Sequence, residues 1–158
     1  MRILVFSDSH GEISVCEKLI NKISGTKMIV HAGDCASDAR KLEALFPEIT
    51  VKYVRGNCDF TSGVEEQDFV ADGKKFFLAH GHKYAVKYDY DYRTFENKVN
   101  SLNADIGVFG HTHVPYYNNT GKIILLNPGS IKYGRTFGII EIEDGRLKAD
   151  ICDANNWI

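Results

Sequence analysis

Several short, largely apolar runs of this chain end in carboxylate, amide or imidazole side chains. The runs cover residues 3–6, 28–30, 51–54, 76–78 and 106–109, and five polar clusters follow them in order: Asp8-Ser-His10, Gly33-Asp34, Gly56-Asn57-Cys58-Asp59, His80-Gly81-His82 and Gly110-His111-Thr-His113. Five of the six histidines lie in these clusters. If the runs are strands, their ends meet along one edge of a sheet, where open α/β sheets place their sites. The pattern therefore predicts one polar site that holds two metal ions.

Length and composition fit a single globular unit. With 158 residues the chain can bury one core, so we expect one domain over 1–158. A net charge of −2 provides no basic face for nucleic acid. No apolar run has the length of a signal peptide or a membrane span, so we expect a cytoplasmic protein without nucleic-acid or membrane partners. The four cysteines form no Cys-x-x-Cys pair, which predicts reduced thiols.

The first third of the chain alternates between strand and helix patterns. Strands are expected at residues 2–7, 27–31 and about 51–53. Helices are expected at about 16–23 and at 37–46, before Pro47. This βαβαβ order favours a parallel sheet covered by helices.

The remainder of the chain predicts hairpins and one more helix. Asp72-Gly73, Asn119-Thr-Gly121 and Asp144-Gly145 separate strand-like segments and have the usual chemistry of hairpin turns. A helix is expected at about 89–103, because the following residues are spaced 4, 3, 4 and 3 apart and form a stripe for core packing: Tyr88, Tyr92, Phe95, Val99 and Leu102. Together the patterns indicate a layered, mixed α/β fold with two sheets face to face and helices outside.

The side chains of the clusters suit transition metals. Carboxylates and imidazoles form a mixed N/O donor set that favours manganese, iron, zinc or nickel over calcium. Asp8 with His10, and His111 with His113, are each two residues apart, so each pair points two ligands to one side if the backbone is extended. A carboxylate such as Asp34 can bridge two cations, and two metal ions clamp the attacking and leaving oxygens of phosphoryl transfer.

The other residues near the clusters have more than one interpretation. His31 is expected to be a hydrogen-bonded structural residue and not a ligand. His82 suits support of a ligand and contact with a substrate equally well. The residues after the fourth cluster either wall a substrate pocket or form a subunit contact; they are Lys83, Lys87, Tyr84, Tyr88, Tyr90 and Tyr92.

In content and order, the five clusters resemble the motifs of the calcineurin-like metallophosphoesterases, especially the small stand-alone bacterial and archaeal phosphodiesterases. Asn127-Pro128-Gly129-Ser130 is similar to a late motif of that family, so the resemblance spans residues 8–130. It implies a four-layer α/β/β/α sandwich of two mixed sheets with flanking helices, and a dinuclear site at the sheet edges. The Asn-Pro-Gly-Ser stretch is expected to be a structural turn close to that site.

The resemblance also implies roles for the cluster residues. One metal ion is expected on Asp8, His10 and His113 and the other on Asn57, His80 and His111, with Asp34 bridging them. A metal-bridging hydroxide is expected to attack phosphorus in line, while the metals and Asn57 neutralise the phosphoryl oxygens, so Asn57 and His80 count as catalytic residues. The cofactors are then two divalent ions, with Mn²⁺ favoured and Ni²⁺, Zn²⁺ or Fe as alternatives.

Cys58 departs from the family pattern. Many members have a histidine directly after the motif asparagine as the expected proton donor to the leaving group. A thiol with an ordinary pKa of about 8.5 is a poor substitute for an imidazole near 6.5. Small members that resemble this chain often share the cysteine. Either Cys58 takes part and activity leans toward substrates with good leaving groups, or its side chain only packs beside the site.

Three classes of function follow from the motifs. The leading hypothesis is a metal-dependent hydrolase of phosphodiester bonds in small molecules, with phosphomonoesterase activity as the close alternative because the pocket walls decide specificity. The second is a non-catalytic scaffold, since the retromer scaffold subunit shares this fold family but has lost part of its metal site. Here all seven ligand positions keep metal-competent side chains. Balanced charge makes a nuclease less attractive, and a homo-oligomer stays open.

Overall fold

The computed structural model describes residues 1–60 and 63–158, which contain ten strands, three α-helices and two 3-10 turns. The strands are β1 (Arg2–Phe6), β2 (Thr26–His31), β3 (Thr50–Tyr53), β4 (Glu66–Ala71), β5 (Lys74–Ala79), β6 (Ile106–Val108), β7 (Tyr116–Asn119), β8 (Ile124–Asn127), β9 (Thr136–Glu143) and β10 (Arg146–Asp153). The helices are α1 (Ile13–Lys22), α2 (Ala36–Leu45) and α3 (Arg93–Ser101), and the 3-10 turns are His82–Tyr84 and Ala154–Asn156. Within the described residues, none of the helices combines the length and the apolar character needed to cross a membrane.

The described strands form two mixed sheets of five strands each. In the first sheet the order is β10-β9-β1-β2-β3, and β1, β2 and β3 are parallel, as the βαβαβ pattern predicts. In the second sheet the order is β4-β5-β6-β8-β7, with β5, β6 and β8 parallel and antiparallel strands at both edges. The parallel strands end at the same edge of their sheet, and the polar clusters follow those ends.

The central strands β1, β5, β6 and β8 are buried on both faces, which explains why they read as continuous apolar runs. In β1, Ile3 and Val5 pack between the two sheets, whereas Leu4 and Phe6 pack under α1 and α2. A third cluster lies between the second sheet and α3 and includes Phe77, Phe95 and Val99. Each fully buried side chain of this size contributes about 1.5–3 kcal/mol relative to exposure. Helix, sheet, sheet and helix therefore form four layers, which confirms the predicted α/β/β/α sandwich.

The hairpin predictions are confirmed. Asp72-Gly73 joins β4 to β5, and Asp144-Gly145 joins β9 to β10. In both turns the two residues have positive φ, between 48° and 77°, as a two-residue hairpin requires. The third turn, at 119–121, joins β7 to β8.

The predicted helix at 89–103 is too long at its N-terminal end. It begins at Arg93, because Tyr92 has a left-handed backbone with φ of 55°. The Asp89 carboxylate accepts a hydrogen bond from Thr94 N (2.7 Å), which stabilises the first turn. Tyr88 is 90% exposed and lies outside the apolar stripe, whereas Phe95 and Val99 are fully buried.

Candidate metal centre

The five predicted clusters lie directly after β1, β2, β3, β5 and β6, on loops at one end of the two sheets. The side chains of Asp8, Asp34 and His80 are almost entirely buried. His10 and His113 are half-buried at the rim of the same site. The folding of the apolar runs into adjacent strands thus brings residues from distant parts of the chain together.

Four of the predicted ligands form one group of donor atoms. One ligand atom from each of Asp8, His10, Asp34 and His113 lies within 4.8 Å of the others. His113 Nε2 is 3.1 Å from Asp8 Oδ1, and His10 Nε2 is 3.9 Å from Asp34 Oδ2. Asp8 Oδ1 and His10 Nε2 are buried and have no hydrogen-bond partner among the described residues. Buried polar atoms without partners are costly, and a bound cation would satisfy both of them.

A second group of donors centres on His80. Its Nδ1 lies 2.7 Å from the Ala32 carbonyl oxygen, which can only accept, so Nδ1 carries the proton and Nε2 of the neutral ring has a lone pair. Nε2 faces two further acceptors, Asn57 Oδ1 at 3.1 Å and Asp34 Oδ1 at 3.4 Å. The His111 ring lies 5.0 Å from the His80 ring. Converging lone pairs repel one another unless a proton or a cation lies between them, so these residues also fit a metal ion.

The charges of the centre follow from burial and from these contacts. Burial alone would raise the pKa of Asp34, but the hydrogen bond and charge of His80 and the hydrogen bond from Cys58 N (3.0 Å) outweigh it, and the pKa lies well below its usual range. Burial lowers the pKa of His80, but Asp34 and Asp8 more than offset it, so this pKa is raised. Burial, followed by the charges of His80 and Lys87, lowers the pKa of His111 to about 4. At neutral pH His111 therefore has a free lone pair.

The backbone of the Asp8–His10 and His111–His113 pairs is not extended. Both pairs lie beyond the strand ends, in left-handed conformations, with φ of 52° at Asp8, 41° at His10, 67° at His111 and 61° at His113. Asp34, at 54°, is also left-handed. The condition of an extended backbone is therefore not met, and tight turns aim the side chains instead. Each such residue costs about 1–2 kcal/mol, and such strain is typical of functional sites.

The Asn-Pro-Gly-Ser segment, predicted to be a turn, begins with the last residue of β8 and stabilises two of these strained loops. Ser130 Oγ donates to the Asp8 carbonyl oxygen (2.8 Å). Asn127 Nδ2 donates to the Gly110 carbonyl oxygen and to Thr112 Oγ1, both at 2.9 Å. These bonds hold the loops that carry Asp8 and His111 against each other.

Two glycines allow the loops to approach closely. A Cβ atom at Gly56 would lie 2.1 Å from Asp34 Oδ1, and one at Gly110 would lie 1.9 Å from Ser7 Oγ. Neither position has room for a side chain, so these glycines do more than end a strand.

Two acidic residues support the centre without being predicted to do so. The Asp59 carboxylate accepts hydrogen bonds from Cys35 N, Ala36 N and Gly56 N, which joins the Asp34 loop to the Asn57 loop. Asp38, in the first turn of α2, is 2% exposed and accepts from Ser9 Oγ and Gly11 N, both at 2.8 Å. Asp59 lies inside a predicted cluster, but the only sequence signal at Asp38 is its place on the buried face of a helix.

The structure decides the predicted roles of the remaining histidines and tyrosines only in part. His31 is buried within hydrogen-bond distance of Ser9 Oγ (2.9 Å) and accepts from Gly33 N, as expected of a structural residue. The His82 ring lies 5.6 Å from the His80 ring, so it borders the centre and its role stays open. Tyr84 and Tyr92 are partly buried and pack against the apolar cluster under α3, and the choice between a pocket wall and a subunit contact stays open.

Cys58 lies beside the centre and is exposed. Its Sγ is 3.5 Å from Asn57 Nδ2. Partial burial and a hydrogen bond with Asp34 raise the pKa of the thiol, so it stays protonated at neutral pH.

Comparison with known proteins identifies the superfamily of the chain. A family model described as a calcineurin-like phosphoesterase superfamily domain matches residues 1–145, so the chain belongs to that superfamily. It is 29% identical over 154 residues to the probable metallophosphoesterase YsnB of Bacillus subtilis, covering 91% of this chain and 86% of the relative. It is 27% identical over 155 residues to the phosphodiesterase YfcE of Escherichia coli K12, covering 83% and 79%.

Solved structures share the fold. A conserved uncharacterized protein and predicted phosphoesterase from Streptococcus pneumoniae TIGR4 has a TM-score of 0.80 at 28% identity, covering 98% of this chain and 90% of that one. Vps29 of Entamoeba histolytica, crystallised with Zn²⁺, has a TM-score of 0.70 at 22% identity, covering 98% and 100%. At that identity the second likeness concerns the fold alone.

Proposed function

We propose that this chain, acting as one domain, is a metal-dependent phosphodiesterase that hydrolyses small phosphoester substrates with two divalent ions. The observation that carries the proposal is the convergence of three ligand atoms: His80 Nε2 lies 3.1 Å from Asn57 Oδ1 and 3.4 Å from Asp34 Oδ1, so a proton or a cation must lie between them. Asp8 Oδ1, which is buried and accepts no hydrogen bond from the described residues, points to the same need for positive charge. Membership of the phosphoesterase superfamily supplies the reaction class.

Each proposed ligand has a place in this hypothesis. Asp8, His10 and His113 would hold one ion, Asn57, His80 and His111 the other, and Asp34 both. Mn²⁺ is the proposed ion, because the mixed N/O donor set accepts it, and the same set accepts Ni²⁺, Zn²⁺ and Fe. Bound ions of this kind supply an acidified water as nucleophile and positive charge for the phosphoryl oxygens.

The protein residues prepare the site for an anionic phosphoryl group. The Ala32 carbonyl fixes the tautomer of His80, so its Nε2 stays available as a ligand. Asn57 Nδ2 contacts only Cys58 Sγ, a weak acceptor, among the described residues, so its N–H groups can donate to a phosphoryl oxygen. The protonated Cys58 thiol lies next to this amide and is the proposed, weak proton donor to the leaving group.

The test is turnover of bis(p-nitrophenyl) phosphate by metal-stripped protein during a Mn²⁺ titration. We expect saturable activity that disappears in Asp34→Ala and persists in the matched control Asp68→Ala, because Asp68 is an exposed residue on β4 that forms an ion pair with Lys75. p-Nitrophenyl phosphate in parallel separates diester from monoester preference.

Two results would overturn the proposal. Faster turnover of the monoester would favour a phosphomonoesterase. Binding of two ions without turnover of either ester would favour a non-catalytic scaffold.

A further inference from the structure

The Tyr133 ring lies against two of the proposed ligands and is left open to solvent. Its centroid is 5.4 Å from that of His113, with the planes 22° apart, and 5.6 Å from that of His10, with the planes 50° apart. The two imidazoles are 5.5 Å from each other, so the three rings form one aromatic group. Tyr133 is nevertheless 64% exposed. Neither the metal ligation nor the core explains why such a large ring stands at this rim.

The segment that carries Tyr133 is tied to the centre. Tyr133 N donates to Ser130 Oγ (3.1 Å), and Ser130 Oγ donates to the Asp8 carbonyl oxygen (2.8 Å). Gly134 N closes the turn by donating to the Ser130 carbonyl oxygen (3.0 Å). A ring held in this way loses little conformational freedom when it contacts a ligand, and such preorganisation favours binding.

A positive charge accompanies the ring. Lys132 Nζ lies 5.5 Å from the Tyr133 centroid and donates to the His10 carbonyl oxygen (2.9 Å). This rim therefore combines a flat aromatic surface, an ammonium group and the proposed phosphoryl site. A ligand that matches all three has a planar ring and a phosphate in the same molecule.

We propose that Tyr133 is a specificity-determining residue that stacks against the planar ring of one ester group of the substrate. The proposal rests on the proposed phosphodiesterase function and names its substrate class: phosphodiesters in which one ester group is a nucleoside. Stacking of a base on an aromatic side chain contributes about 1–3 kcal/mol, which corresponds to a factor of about 5–150 in affinity.

The test measures binding of thymidine 5′-phosphate and of deoxyribose 5-phosphate to the Mn²⁺-loaded protein by calorimetry. Both ligands carry the same phosphate and sugar, and only the first has a base. We expect the wild-type protein to bind thymidine 5′-phosphate about tenfold or more tightly than deoxyribose 5-phosphate. Tyr133→Ala should remove this preference, whereas Tyr133→Phe should keep it. The control Tyr117→Ala, on edge strand β7, should also keep it.

Each contrary outcome has a distinct meaning. If the wild-type protein shows no preference for the base, or if Tyr133→Ala keeps the preference, the stacking proposal is wrong. If Tyr133→Ala loses Mn²⁺ as measured by metal titration, the ring supports His113 and does not bind substrate, which also overturns it. Turnover of bis(p-nitrophenyl) phosphate, measured on the same preparations, reports separately on the phosphodiesterase function. A base preference without turnover would refute that function and leave the aromatic subsite in place.

Discussion

Asp59 joins two loops of the candidate metal centre through its carboxylate. Oδ1 accepts from Cys35 N (3.1 Å) and Ala36 N (2.9 Å) at the start of α2, and Oδ2 accepts from Gly56 N (2.8 Å). Cys35 directly follows one proposed ligand, Asp34, and Gly56 directly precedes another, Asn57. The strands β2 and β3 fix only where these two loops begin. The Asp59 carboxylate therefore sets the distance between the loops themselves.

We expect Asp59→Asn to lower the free energy of unfolding of the metal-free protein by about 2–3 kcal/mol. With its carbonyl toward α2, the asparagine keeps two of the three bonds, but its NH₂ group then faces Gly56 N. A buried donor left without an acceptor costs about 1–3 kcal/mol. Loss of the negative charge at the start of α2 adds about 0.3–1 kcal/mol. Turning the amide round would restore the bond to Gly56 but leave two N–H groups of α2 unpaired.

Urea unfolding of the metal-free protein measures this change, and a Mn²⁺ titration of the same variant should show weaker binding. The matched control is Asp91→Asn, because Asp91 forms an exposed ion pair with Arg93. Exposed pairs contribute about 0–1 kcal/mol, so the control should change little. A loss below about 0.5 kcal/mol in Asp59→Asn, together with unchanged Mn²⁺ affinity, would refute the argument that this carboxylate holds the two loops together.

Three further predictions concern the same centre. Gly110→Ala should destabilise the protein by about 1–3 kcal/mol or more in a thermal melt, because the added Cβ meets Ser7 Oγ. Gly63→Ala should not, because among the described residues the nearest atom to its added Cβ is 3.9 Å away. Cys58→His should accelerate hydrolysis of alkyl esters more than of nitrophenyl esters, since an imidazole is the better proton donor; equal effects on the two rates would remove Cys58 from leaving-group chemistry. Because the pKa of His80 is raised in the folded state, its protonated form stabilises the metal-free fold. This stabilisation is fully present below the unfolded pKa of about 6.5, and it is lost as the pH rises through the folded pKa. Mn²⁺ needs the deprotonated ring, so calorimetry should show affinity rising over that pH range, with proton release on binding; pH-independent binding would exclude His80 as a ligand.

The architecture of this chain is largely predictable because its apolar runs are buried on both faces. Residues 3–6 and 76–78 alternate between two apolar layers, so each run shows the same hydrophobic signal without a polar face. The hairpins are predictable because two-residue turns require positive φ at both positions, and Asp-Gly pairs such as Asp72-Gly73 and Asp144-Gly145 adopt it readily. The start of α3 at Arg93 is not predictable from the sequence. It depends on the left-handed backbone of Tyr92 and on the hydrogen bond from Thr94 N to the Asp89 carboxylate.

The candidate metal centre is predictable in its residues and not in its geometry. Asp8 and His10 can be recognised from the sequence, because their side chains are typical metal ligands and their motif stands first in the order of clusters. Their left-handed backbone is imposed by distant partners, such as Ser130 bonding to the Asp8 carbonyl from 122 positions along the chain. The support from Asp38 and the stacked Tyr133 also depend on tertiary contacts that no local pattern encodes.

Anomalous diffraction from a crystal of the Mn²⁺-loaded protein tests the two-ion proposal most directly. The proposal predicts two peaks per chain, one beside Asp8 and His113 and the other beside Asn57 and His80, with Asp34 in contact with both. A single peak, or two peaks away from these side chains, would contradict the dinuclear centre.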